Sequence, residues 1–104
     1  FHNELKEHIY SYDLISPDTE YDVYHIHTWD EGDFFDEHMD SNFRRKWAYV
    51  CELKASECKT MLKVNGVDTL EGVFDSYTLH NLPKIQQGTR ISLTVFGSSK
   101  SSII

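Results

Sequence analysis

The chain lacks most of the signals by which a sequence announces its chemistry. Its longest apolar runs are only a few residues, which excludes a membrane-spanning helix, and its N-terminus has no charged-then-apolar stretch of the kind that directs secretion. There is no His-Glu-x-x-His, no Cys-x-x-Cys and no calcium-loop spacing, so no standard metal motif is present. No glycine-rich loop follows a strand to cradle phosphates, and no Ser or Cys nucleophile is set beside a His and an orienting acid. The residues therefore predict neither an enzyme nor a bound cofactor. Basic residues are scarce, 10 Lys and Arg against 17 Asp and Glu. The net charge of −7 repels nucleic-acid phosphates and excludes that partner; it suits a basic protein partner, or simply solubility. No Asn-x-Ser/Thr glycan acceptor occurs, and there is no internal repeat or low-complexity segment.

What is present is apolar material in alternating patterns. With 104 residues, 39% hydrophobic and 13% aromatic, the chain is long enough for one domain with one core and too short for two. The start at Phe1 without a Met and the ending Ser-Ser-Ile-Ile lead us to expect a piece of a larger chain. The clearest signal runs from Phe74 to Gly97. Ile91, Leu93 and Val95 share one strand face while Arg90, Ser92 and Thr94 take the other; before them, Tyr77, Leu79 and Leu82 read as a second strand running into a turn.

Upstream, the first fifteen residues carry two signals. Leu5, His8, Ile9 and Tyr12 are loosely helical in spacing, whereas the aromatic and β-branched run from Ile9 to Ile15 has strand character. We assign a strand from Ile9 and a tail or linker over 1–8, with the domain spanning 9–104. Ser16-Pro17-Asp18 reads as a turn, Tyr21 to Trp29 as a strand, and Asp30 to Arg45 as a long acidic loop or a short irregular helix. Lys46 to Leu53 alternates again, with Trp47, Tyr49, Cys51 and Leu53 opposite Ala48 and Val50. A polar connection through Ala55, Ser56 and Glu57 leads to a strand from Cys58 to Val64, followed by an Asn65-Gly66 turn. Short strands separated by turn signals predict an all-β antiparallel sandwich.

The pattern resembles a fibronectin type III domain. Trp29 closes a strand where that family buries a Trp, KWAYVCEL resembles its central strand, and SYTLHNLP with RISLTVFG resembles its Tyr-x-Leu-x-x-Leu-x-Pro turn and following strand. The resemblance implies an immunoglobulin-like sandwich enclosing Trp29, Leu79, Leu93 and Val95. It also implies an extracellular or cell-surface receptor module that binds a protein ligand and touches a membrane only through its parent chain.

Cys51 and Cys58 are spaced so that antiparallel neighbours bring them within bonding range, and a short disulfide hairpin is similar to those of some fibronectin type III receptors; one buried Cys and one surface thiol is the alternative. In the acidic loop, Asp33, Phe34, Phe35, Asp36 and Phe43 combine apolar groups with charge, as a binding anchor inside a polar rim does, or as a small satellite core does. His25 and His27 share one strand face, and Asp36, His38 and Asp40 alternate nearby, so a His/Asp metal site arises if the loop folds back. Because His-x-His on a strand also fits surface or hydrogen-bonded core, no metal residues are assigned. A further alternative is a PDZ-like peptide-binding domain, on the resemblance of MLKVNGVDT and GTRISLTV to the latter half of that fold.

Overall fold

The computed structural model describes residues 2–12, 15, 19–40 and 45–99. It begins with a helix, α1 (His2–Tyr10), followed by eight strands: β1 (Thr19–Trp29), β2 (Phe35–His38), β3 (Arg45–Ser56), β4 (Leu62–Val64), β5 (Val67–Thr69), β6 (Glu71–Asp75), β7 (His80–Leu82) and β8 (Thr89–Ser99). Two four-stranded antiparallel sheets form, in the orders β1-β8-β3-β6 and β2-β7-β4-β5. The pairs β1 with β8, β2 with β7, β3 with β6 and β4 with β5 are those of one long hairpin rolled over itself, the connectivity of a jelly roll. The expected antiparallel sandwich is therefore present. An immunoglobulin-type sandwich sets its first two strands side by side in one sheet, whereas here β1 and β2 lie in opposite sheets.

The turn between β4 and β5 forms at Asn65 and Gly66, both at positive φ, as an Asn-Gly pair permits. Several other elements differ from expectation. The first segment is helical from His2 to Tyr10, because Leu5 and Ile9, one turn apart, have a surface to cover. They pack with Trp47, Tyr49, Leu93 and Val95 on the outer face of the first sheet, so residues 2–8 belong to a packed helix. A helix of nine residues is too short to persist alone, and this burial is what holds it. The expected acidic loop contains β2, and β3 continues through Ser56 where a chain reversal was expected.

That continuation removes the Cys51–Cys58 disulfide. The residues from Cys51 to Ser56 are extended strand, about 16 Å of travel, whereas a disulfide joins Cα atoms some 4–7 Å apart. Both thiols are free; Cys51 donates to the Glu52 carbonyl and Cys58 to that of Thr60.

The alternation along β8 and β3 is real, but the layers sit differently from the expected core. Leu93 and Val95 are fully buried against α1, outside the sandwich, and Leu79 is 41% exposed beyond a turn that also exposes Tyr77. Only Trp29 of the expected four faces the space between the sheets, where it is half-buried. The opposite face of the same strands, Ala48 and Val50 of β3 with Arg90, Ser92, Thr94 and Phe96 of β8, looks into that space. Leu62 and Phe74 complete a small second core there. Among the described residues no helix is long and apolar enough to cross a membrane.

The docking of α1 is testable. Ile9 is wholly buried, so Ile9→Ala is expected to cost about 2–5 kcal/mol in urea-induced unfolding. A cost of only a few tenths would mean that the helix is not part of the folded unit.

Candidate functional site

The space between the sheets is a cavity of about 320 Å³. Strand pairing builds its chemistry. His38 at the end of β2 is the direct partner of His80 at the start of β7, and directly opposed residues project from the same side of a sheet. Their rings lie 4.3 Å apart. Asp40, two residues beyond His38, brings its Oδ1 to 3.5 Å from His38 Nε2 and 3.4 Å from His80 Nε2. The three donor atoms lie within 4.8 Å of one another.

The tautomers are set by what the other ring nitrogens touch. His38 Nδ1 donates to the Asp36 carbonyl at 2.7 Å, and His80 Nδ1 donates to the Thr78 carbonyl at 3.1 Å. A carbonyl can only accept, so each neutral ring carries its hydrogen on Nδ1 and turns the lone pair of Nε2 toward Asp40. Ligation through one nitrogen with the other tied to a backbone carbonyl is the usual arrangement of a metal-binding His. An ion with bonds near 2.1 Å sets adjacent donors about 3 Å apart; the two Asp40–His distances exceed this by a few tenths of an ångström, while the widest separation in the group, up to 4.8 Å, has to close further for an ion to be held. The ring of Phe74 lies 4.8 Å from buried His80 and that of Phe35 5.4 Å from His38, which stays exposed.

Without an ion the three side chains satisfy one another. Burial works to raise the carboxyl of Asp40, but the hydrogen bond to His80, with the charges of His80, His38 and Arg45, holds it below the usual range. Burial likewise works to lower His80, and the Asp40 hydrogen bond and charge, with the Thr78 carbonyl, raise it above the usual imidazole range.

A second polar group lies in the same cavity. Arg90 is only 3% exposed; its Nε donates to Glu52 Oε1 at 3.0 Å, and its terminal nitrogens have no hydrogen-bond partner among the described residues. A buried guanidinium with unfilled donors is costly unless an anion meets it. Beside it Ser92, also buried, accepts from Trp29 Nε1 at 3.0 Å, which leaves its own hydroxyl hydrogen free to donate.

Of the residues singled out from sequence, His38 and Asp40 join this site, with Asp36 supporting His38 through its carbonyl. Phe35 turns inward against Trp29 and His38, whereas Phe34 is 56% exposed. Asp33 accepts from the Asp30 amide in a turn, and Phe43 lies outside the described residues. His25 and His27 stack on each other along β1 and are not part of the cluster. His80 and Arg90 were missed. Arg90 belongs to the face of β8 that alternation assigns as polar, and His80, two residues before Leu82, carries no local spacing that marks it.

The ion pair in the metal-free chain makes stability depend on pH. His80, raised above 6.5, contributes fully below that value and loses its contribution as pH rises through the raised one. Asp40, lowered below 3.8, contributes above that value and loses its contribution as pH falls through the lowered one. With chelator present, the melting temperature is therefore expected to decline as pH rises above about 6.5, and His80→Gln to flatten that decline.

Compared with known protein families, curated proteins and solved structures, the chain matches none of them.

Proposed function

We propose that this chain is the metal- and co-substrate-binding domain of a mononuclear non-haem Fe(II) oxygenase that uses a short 2-oxo dicarboxylate as co-substrate. The observation that carries this reading is the convergence of His38, Asp40 and His80, both Nδ1 atoms already committed to carbonyls, on a cavity that also holds Arg90. Two imidazoles and one carboxylate on one face of an ion, with further positions open, form the donor set of such oxygenases. No fourth His, Cys, Asp or Glu among the described residues closes the site, as a structural zinc site would require.

Fe(II) at this site supplies the redox chemistry that activates dioxygen. The chain's own residues orient and exclude. Asp36 and Thr78 carbonyls fix the two imidazoles, and the negative charge of Asp40 offsets that of a cation. Glu52 holds Arg90 by Nε, so the remaining fork is available to a carboxylate in the bidentate geometry that guanidinium favours, and Ser92 adds a hydroxyl donor. A ligand that meets both the metal site and Arg90 carries an anionic group at each end, which is the form of a 2-oxo dicarboxylate. Phe35 packs against His38 and Phe74 against His80, leaving His38 as the solvent-exposed member of the group. This reading is preferred to a receptor's protein-binding module or a PDZ-like domain because neither gives the paired imidazoles or the buried guanidinium anything to do.

Calorimetric titration with Co(II) or anaerobic Fe(II) is expected to find one ion per chain. His80→Gln and Asp40→Asn are each expected to weaken it by more than the roughly 10–100-fold lost with an outer-shell partner. Arg90→Gln, checked for folding by near-ultraviolet circular dichroism, is expected to keep the ion and lose 2-oxoglutarate binding. A wild-type chain that takes up no stoichiometric ion would sink the proposal.

A further inference from the structure

Two open sheets have four edges, here β1 and β6 on the first sheet and β2 and β5 on the second. An edge strand presents unpaired amide and carbonyl groups that a second chain can take up, and folded proteins guard such edges by keeping them short or by placing charge on them. Three of the four are guarded in both ways. β6 has five residues and carries Glu71 and Asp75, β2 has four and carries Asp36 and Glu37, and β5 has three and carries Asp68. β1 is the exception. It has eleven residues, pairs only with β8 among the described residues, and over 23–29 contains no Asp, Glu, Lys, Arg or Pro.

The same stretch is regular, and one side of it is apolar. The register with β8 shifts between Tyr21 and Tyr24 and then runs without interruption to Trp29, so this part of the edge can template another strand. Ile26 is the direct partner of Leu93 and projects from the same side of the sheet, toward the layer that α1 covers. Leu93 is buried there, whereas Ile26, one strand further out, is 55% exposed. The apolar layer under α1 thus ends at an exposed side chain on the rim of the sheet. On the other side of β1, His27 and Trp29 line the cavity.

We infer that β1 is an interface between two copies of this chain, paired antiparallel about a two-fold axis at Ile26 so that their first sheets join into one. Charge selects a second copy as the occupant. Each chain carries a net charge of −7, so two of them meet with least repulsion where neither presents a carboxylate, and residues 23–29 form the one edge segment of that kind among the described strands. A basic partner finds no countercharge there. An axis at Ile26 sets that residue against its own copy, His25 against His27 and Tyr24 against Thr28, each pair on one face of the joined sheet. Asp22 lies before the register shift and Asp30 beyond the strand, so neither is set in the paired stretch. The two Ile26 side chains then cover each other and extend the layer that ends at Leu93. On the cavity side, His25 of the second copy stands beside His27 and adds to the cavity's rim. The pairing uses no ligand of the metal site, so it is expected whether or not an ion is bound.

Sedimentation equilibrium of the wild-type chain at about 100 µM, ample for a micromolar dissociation constant, is expected to give twice the 12.2 kDa of one copy, with or without chelator. Ile26→Lys, which places a charge on the edge, is expected to weaken the dimer at least about tenfold while keeping the near-ultraviolet circular dichroism of the wild type. Ile26→Cys, oxidised with diamide, is expected to form a reducible dimer that peptide mass mapping shows linked through position 26, since directly opposed Cα atoms lie about 4.5–5.5 Å apart, within disulfide range. Thr28→Cys, whose two copies the same register sets well apart, is expected to form no link through position 28. A wild type of 12.2 kDa at that concentration overturns the inference, as does a dimer that Ile26→Lys leaves intact or that links through position 28 and not 26. An open-ended series of larger species overturns it as well, because a two-fold pairing closes.

Discussion

Strand β8 pairs with β1 on one side and β3 on the other, and this central position constrains everything else. A strand inside a sheet has two faces, and neither face of β8 is left to bulk water. One is covered by α1, which buries Leu93 and Val95; the other is roofed by the second sheet. Residues that alternation assigns to a polar face thereby become interior residues.

The consequence is a division of labour between the layers. Apolar burial is concentrated where α1 meets the first sheet, around Ile9, Trp47, Tyr49, Leu93 and Val95. Tyr49 reinforces it by donating to Glu71 Oε2 at 2.6 Å, and His8 of the helix reaches the same carboxylate. Close fit is required there, since a Cβ on Gly97 would fall within the ring of Trp47. The space between the sheets has only the small cluster of Ala48, Val50, Leu62 and Phe74, and can therefore hold polar groups that a tight core would reject.

Those polar groups are not at rest energetically. Arg90 has one of its donors answered by Glu52, while Asp40 and the two imidazoles compensate one another in the absence of an ion. Burying charge costs stability unless partners complete it, so this interior adds less to stability than the apolar layer does. The α1 layer offsets that cost from the far side of the same sheet.

The strands at β1, β3 and β8, the Asn65-Gly66 turn and the His38–Asp40 pair were legible in the sequence because each depends on neighbours along the chain. The short strands β2, β5 and β6 were not, since runs of three to five residues show too little alternation. Local pattern determined that Arg90, Ser92 and Thr94 share one face and that Leu93 and Val95 share the other. Which of those faces is inside was decided only by the tertiary structure, because period-two alternation is symmetric and the answer depends on where α1 docks. The meeting of His38 with His80 was decided in the same way, through a register between strands 42 residues apart (80 − 38) that no local spacing encodes.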